Sequence, residues 1–225
     1  MYTYKPKEKK IDPQTDLVKN IFIENKRAYG TRRIKAECAR KNVCISRRRI
    51  ARIMKKEGLV SSYTKARFKT QKQTCNEAVI ENIVDRKFND RSKLEVVVSD
   101  LTYVRVGKSW HYICTLLDLH NREIIGYSVG ANKDAKLVTK AFASVKRDLR
   151  GICIFHINRG KEFDNQLIDD MLATFHVKRS LSRKGTPYDN AVAEATYKII
   201  KTEFVYQHIF LAEEELMKKC QAFVC

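Results

Sequence analysis

The sequence predicts an α/β fold of element order βββαβαβα, preceded by a small, basic, all-helical domain. Three observations support this. Apolar residues recur at helical spacing over the first 60 residues, β-branched and aromatic runs begin abruptly at Leu94, and positive charge is concentrated ahead of that change. Of the formal net charge of +19, residues 1–75 supply +16 (22 Lys and Arg against 6 Asp and Glu) and residues 76–225 supply +3 (23 against 20). So concentrated a cationic segment attracts a polyanion, and nucleic acid is the expected one. Ribosomal proteins and RNA chaperones would meet this criterion equally.

In the N-terminal third, Leu17, Val18, Ile21 and Phe22 mark a helix from Asp16 to Lys26. Thr31 is read as the cap of a second helix reaching about Lys41, and Ser46 as the cap of a third that runs to Glu57 and stops at Gly58. The third, SRRRIARIMKKEG, places Arg47, Arg48, Arg49 and Arg52 around an apolar face of Ile50, Ile53 and Met54. That pattern suits either a solvated basic face or a recognition helix, and arginines in the first turn, where the helix dipole disfavours them, favour DNA. The expected organisation is a helix-turn-helix domain over 1–60, a basic linker over 61–93 and an α/β core over 94–225.

In the core, LEVVVSDLTYVRV, WHYICTLLDL and REIIGYSV, separated by Gly107-Lys108 and His120-Asn121, predict a three-stranded antiparallel meander. A helix from Ala135 to about Leu149 follows. Then come a strand ICIFHI, a helix from Asn165 to Phe175, a strand VKRSL, the loop SRKGTPYDN and one long helix from Ala191. No stretch approaches the roughly 20 apolar residues of a membrane span, and no apolar run follows the charged N-terminus, so a cytoplasmic, nucleoid-associated location without membrane contact is expected. The seven cysteines include no CxxC pair and are expected to be reduced and mostly buried.

Asp100 falls on the first strand between apolar residues, where an aspartate is costly unless paired or bound to a metal. Glu194 falls one turn into the last helix, with Lys198 and Lys201 following on its face and Val192, Ala195 and Ile199 read as the opposite, apolar side. Alone, each has an ordinary explanation. Together with AYGTRRI, ISRRRIARIMKKEGL, SDLTYV, HYICTLLDLHNREIIGYSV, HINRGKEFDN and SRKGTPYDNAVAEATYKIIKTE, they make residues 15–216 resemble insertion-sequence transposases of the second-reading-frame type. Those proteins have a ribonuclease H-like core similar to retroviral integrase.

The resemblance implies that Asp100 is the first metal ligand and Glu194 the third of a three-carboxylate set. Asn158 stands where the second aspartate is expected, with 35 residues between it and Glu194, the spacing typical of the family. Two Mg2+ or Mn2+ ions held by such a set activate the attacking oxygen and stabilise the leaving one in DNA cleavage and strand transfer. An amide supplies only a neutral oxygen, so this copy is expected to be impaired. Asp164 is a poorly placed substitute and His156 a poor magnesium ligand. The family pattern also implies DNA at element ends and target, contacted by Arg47, Arg48, Arg49, Arg52, Lys198 and Lys201, a homo-oligomer and a first-reading-frame partner. The chain is read as ending early within the family's C-terminal stretch. An inactive DNA-binding relic or competitor of intact transposase is the alternative, and a ribonuclease H acting on RNA hybrids a third.

Overall fold

The computed structural model describes residues 12–64 and 80–224, in two compact units divided at Thr70/Gln71. In the first unit α1 (Thr15–Glu24), α2 (Thr31–Arg40) and α3 (Arg47–Lys56) enclose a core of Val18, Ile21, Phe22, Ile34, Cys38, Ile50 and Ile53. Ser46 caps α3 as expected, its Oγ accepting from Arg49 N at 3.2 Å. Gly58, at φ +63°, ends it: Leu59 N donates to Met54 O at 2.8 Å, closing a turn that favours glycine. The second helix differs in one detail, because Gly30 occupies the cap and Thr31 is the first helical residue.

In the second unit β1 (Val96–Val106), β2 (Ser109–Asp118) and β3 (Ile124–Gly130) form the predicted meander. After α4 (Ala135–Ala143), β4 (Ile154–Ile157) pairs parallel to β1. After α5 (Gln166–Thr174), β5 (Lys178–Leu181) pairs parallel to β4. The strand order is β3-β2-β1-β4-β5. Helices α4 and α5 bury Leu137, Val138, Phe142, Ile168 and Leu172 on one face. On the other lie α6 (Ala191–Ile199) and α7 (Glu213–Val224), covering Val104, Ile113, Val96 and Val98. This mixed sheet between helices is a ribonuclease H-like fold.

Several expectations change. Helix α4 stops at Ala143 because Ser144 turns its hydroxyl back to Ala141 O (2.7 Å) and accepts Tyr127 N from β3 (2.8 Å). The long last helix is interrupted: α6 passes into a π-helical turn at Ile200–Phe204, then a 3₁₀ turn at Val205–Gln207, before Phe210 bridges to Val106 and α7 begins. That wider turn buries Ile200, Thr202 and Phe204 together. The inward stripe of α6 is Ala193 and Tyr197, continued by Ile200, while Ala195 and Ile199 are exposed.

Residues 80–93 lie on the core: Val84 is fully buried, and Ile83 N donates to Ser180 Oγ at 2.9 Å. The linker cations Lys65, Arg67, Lys69 and Lys72 lie outside the described residues. Cys38, Cys114 and Cys220 are buried free thiols, whereas Cys44 and Cys153 are exposed. Among the described residues, no helix is long and apolar enough to cross a membrane.

Candidate active site

Strand register brings the first two candidate residues together. β1 and β4 pair from Val96↔Ile154 to Ser99↔Ile157, so the next step along both strands sets Asp100 beside Asn158, where β4 ends and β1 runs on. Glu194, exposed on the first turns of α6, faces the same cleft of about 310 Å³, whose walls include Arg159, Arg183, Lys184 and Asn190. The three positions named from the sequence therefore line one cleft. Lys201 stands close enough for Asp100's charge to act on it.

Asn158 is oriented by its neighbours. Gly160 N donates to its Oδ1 at 2.8 Å, which leaves its Nδ2 to donate to Asp100 Oδ1 at 2.7 Å. Reversing the amide would set two donors against each other, so the hydrogen-bond network fixes the assignment. Leu101 N also donates to Asp100 Oδ1, at 2.8 Å. Burial pushes the Asp100 carboxyl up to about 6, against the lowering by that backbone N–H, and Glu162 adds to the rise. Burial likewise raises Glu194.

A two-ion centre needs oxygens from neighbouring ligands turned toward a shared cation. Here position 158 turns an N–H toward Asp100. Among the described residues, no group of three His, Cys, Asp or Glu is disposed to hold a metal ion. Of the three positions, Asp100 and Glu194 offer carboxylate oxygens and Asn158 an amide. Asn190 Oδ1, in the cleft wall, is buried without a hydrogen-bond partner among the described residues.

Three further residues, Glu162, Tyr197 and Asp189, shape the site without having been singled out in the sequence. Glu162 is buried, 3.2 Å from Lys133 Nζ, and its carboxylate fills the space that a Cβ on Gly160 would need. Asp164, by contrast, is exposed, and Asn165 caps α5. Tyr197 donates its hydroxyl proton to Asp100 O and accepts from Thr115 N (2.9 Å) and Thr115 Oγ1 (2.8 Å), clamping α6 onto β1 and β2 beneath the cleft. Asp189 is fully buried. Burial opposes its ionisation, but the Arg86 guanidinium at 2.6 Å and Arg183 N at 3.1 Å outweigh that and hold it below the usual carboxylate range.

His156 is structural. Its Nε2 lies 2.9 Å from Asp189 O and so carries the proton, and its Nδ1 accepts from Ser180 Oγ at 2.9 Å, a hydroxyl that itself receives Ile83 N–H. Burial lowers its pKa and keeps it neutral.

Of the cations named on α3, Arg47, Arg48 and Arg52 are exposed. Arg49 is committed to Asp12 through Nε–Oδ2 (2.8 Å) and Nη2–Oδ1 (2.9 Å), contacts that hold Asp12 at about 2.

Residues 90–187 match the integrase core domain family, and residues 10–67 match the HTH-like domain family. The chain is 29% identical over 214 residues to the insertion element IS600 uncharacterized 31 kDa protein of Shigella sonnei, covering 92% of this chain and 77% of that protein. The chain carries an integrase core domain and an HTH-like domain, and over most of its length it is similar to proteins of insertion sequences. To the transposase for insertion sequence element IS904 of Lactococcus lactis it is 24% identical over 212 residues, 93% of this chain and 84% of that one. A solved structure of the HTLV-2 integrase catalytic core domain in complex with magnesium is 16% identical to this chain, at a TM-score of 0.44 over 64% of this chain and 84% of that one.

Proposed function

We propose that this chain is a transposase that binds DNA through the exposed arginines of α3 and the lysines beside the cleft, and that strand cleavage and transfer at Asp100, Asn158 and Glu194 are strongly impaired. The observation carrying the second half is the Asn158 Nδ2–Asp100 Oδ1 hydrogen bond, which turns a donor where a ligand oxygen is needed. The first half rests on charge: Arg47, Arg48 and Arg52 project from a folded helical unit of the HTH-like family, with Arg49 bracing the helix through Asp12. Lys198 and Lys201 extend the positive character to the core. The functional organisation is a basic DNA-binding domain over 1–60 and a catalytic core over 94–225, acting on DNA as a homo-oligomer with a first-reading-frame partner.

Strand transfer on oligonucleotides in Mg2+ or Mn2+ tests the reading, with Asn158→Asp as the gain-of-function comparison. The unmodified chain is expected to bind DNA and transfer no strand, and Asn158→Asp to restore transfer. It is also expected to acquire a rise in melting temperature on adding Mg2+, which the unmodified chain lacks. Transfer by the unmodified chain that Asp100→Ala abolishes would show the impairment to be wrong. An inactive DNA-binding protein that competes with intact transposase is favoured by the same amide; DNA binding that persists in Glu194→Ala is its expected mark.

A further inference from the structure

Beyond Ser99 the edge of β1 is no longer paired with β4, and the strand runs on beside β2 toward the hairpin turn at Gly107. Opposite Arg105 on β2, Trp110 stands with half its surface in water, although a tryptophan is among the side chains that gain most from burial. Its ring packs edge-on against Tyr103, with centroids 5.2 Å apart and planes at 86°. Arg105 lies over the Trp110 ring at 5.3 Å, and the Lys201 ammonium over the Tyr103 ring at 4.6 Å. The order is therefore cation, ring, ring, cation: Lys201, Tyr103, Trp110, Arg105. The π-helical turn of Ile200–Phe204 sets Lys201 in this row, and Lys201 also feels the charge of Asp100. The row thus begins at the cleft and ends at the hairpin. His111, the next residue after Trp110, pairs with Glu213 instead.

We propose that this row is a binding track for an unpaired DNA strand leading to the cleft, with a base stacked on Trp110 and phosphates held by Arg105 and Lys201. The proposal rests on the DNA-binding reading above and deepens it by naming the strand form. A half-exposed ring can take the face of an unpaired base, whereas the bases of a duplex are already stacked on each other. Both cations lean on ring faces, where their charge stays available to a polyanion.

Trp110 is the only tryptophan of the chain, so intrinsic emission reports on this row directly. The full chain is titrated at low salt with a labelled single strand and with the blunt duplex of the same sequence, following label anisotropy and tryptophan emission together. The single strand is expected to quench Trp110. Trp110→Ala is expected to weaken single-strand affinity about 5- to 150-fold, the range for losing one base–aromatic stack, while changing duplex affinity less than about twofold. Trp110→Phe is expected to recover most of the loss. Single-strand binding with emission unmoved and Trp110→Ala binding equally well would overturn the track and leave the DNA-binding reading standing. Failure of both DNA forms to bind would overturn the two together, and quenching by RNA in preference to DNA would overturn the choice of strand.

Discussion

At Asp100 a charge and its surroundings conflict: burial favours the protonated acid, yet Asn158 Nδ2 and Leu101 N both donate to the carboxyl group. Burial prevails, and the sign of the pH dependence follows. Below the ordinary value of 3.8 Asp100 is protonated in folded and unfolded chains alike. As pH rises from 3.8 to about 6 only the unfolded chain ionises, so this group's stability contribution is lost across that window and is flat above it. The loss is at most about 3 kcal/mol, reduced by the water the cleft admits. His156 acts oppositely: its depressed pKa costs stability as pH falls below 6.5. Unfolding by denaturant at pH 4, 5 and 6 without divalent ions is expected to show Asp100→Asn gaining on the parent chain as pH rises. Parallel pH profiles would contradict the placement of the titration at Asp100. The position of residue 158 was legible in the sequence, because motif and spacing agree. The direction of its amide was not, since it depends on Gly160 N, and the proximity of Glu162 depends on how the turn after β4 folds back.

At the scale of elements, α6 is fastened by one hydroxyl. Tyr197 joins Asp100 O to Thr115 N, so removing the oxygen leaves a buried backbone N–H without its partner. Tyr197→Phe is expected to cost about 1 to 3 kcal/mol, read as a lowered midpoint in urea at unchanged m. Strand order and helix sequence in this half were readable from alternating and 3.6-residue patterns. The buried face of α6 was misread because two apolar stripes compete there. Ala195 and Ile199 make one, Ala193 and Ile200 the other, and Tyr197, apolar in body with a polar tip, decides for the second. The π-helical turn had no sequence signal of its own; it follows from burying Ile200, Thr202 and Phe204 at once.

For the molecule as a whole, the asymmetric charge sets the terms on which the proposed DNA association is tested. Replacing Arg47, Arg48 and Arg52 together by Ala is expected to reduce the slope of log affinity against log salt by about 2 to 3, near 0.9 for each phosphate no longer neutralised, with the melting temperature preserved because all three are exposed. An unchanged slope would remove α3 from the interface. The charge asymmetry and the change of texture at Leu94 were plain in the sequence. The packing of residues 80–93 on the core was not, because Ile80, Val84 and Phe88 are sparse apolar anchors in a polar stretch, and only the tertiary structure shows what they meet.

The parallel register of β1 and β4 has a genetic consequence. Backbone hydrogen bonds, not side chains, place residue 158 opposite residue 100, so the position keeps its neighbour whatever side chain it bears. Codons for asparagine and aspartate differ only in their first base. A single nucleotide substitution would therefore place a carboxylate at this position in a scaffold already folded to receive it, without rebuilding any part of the protein.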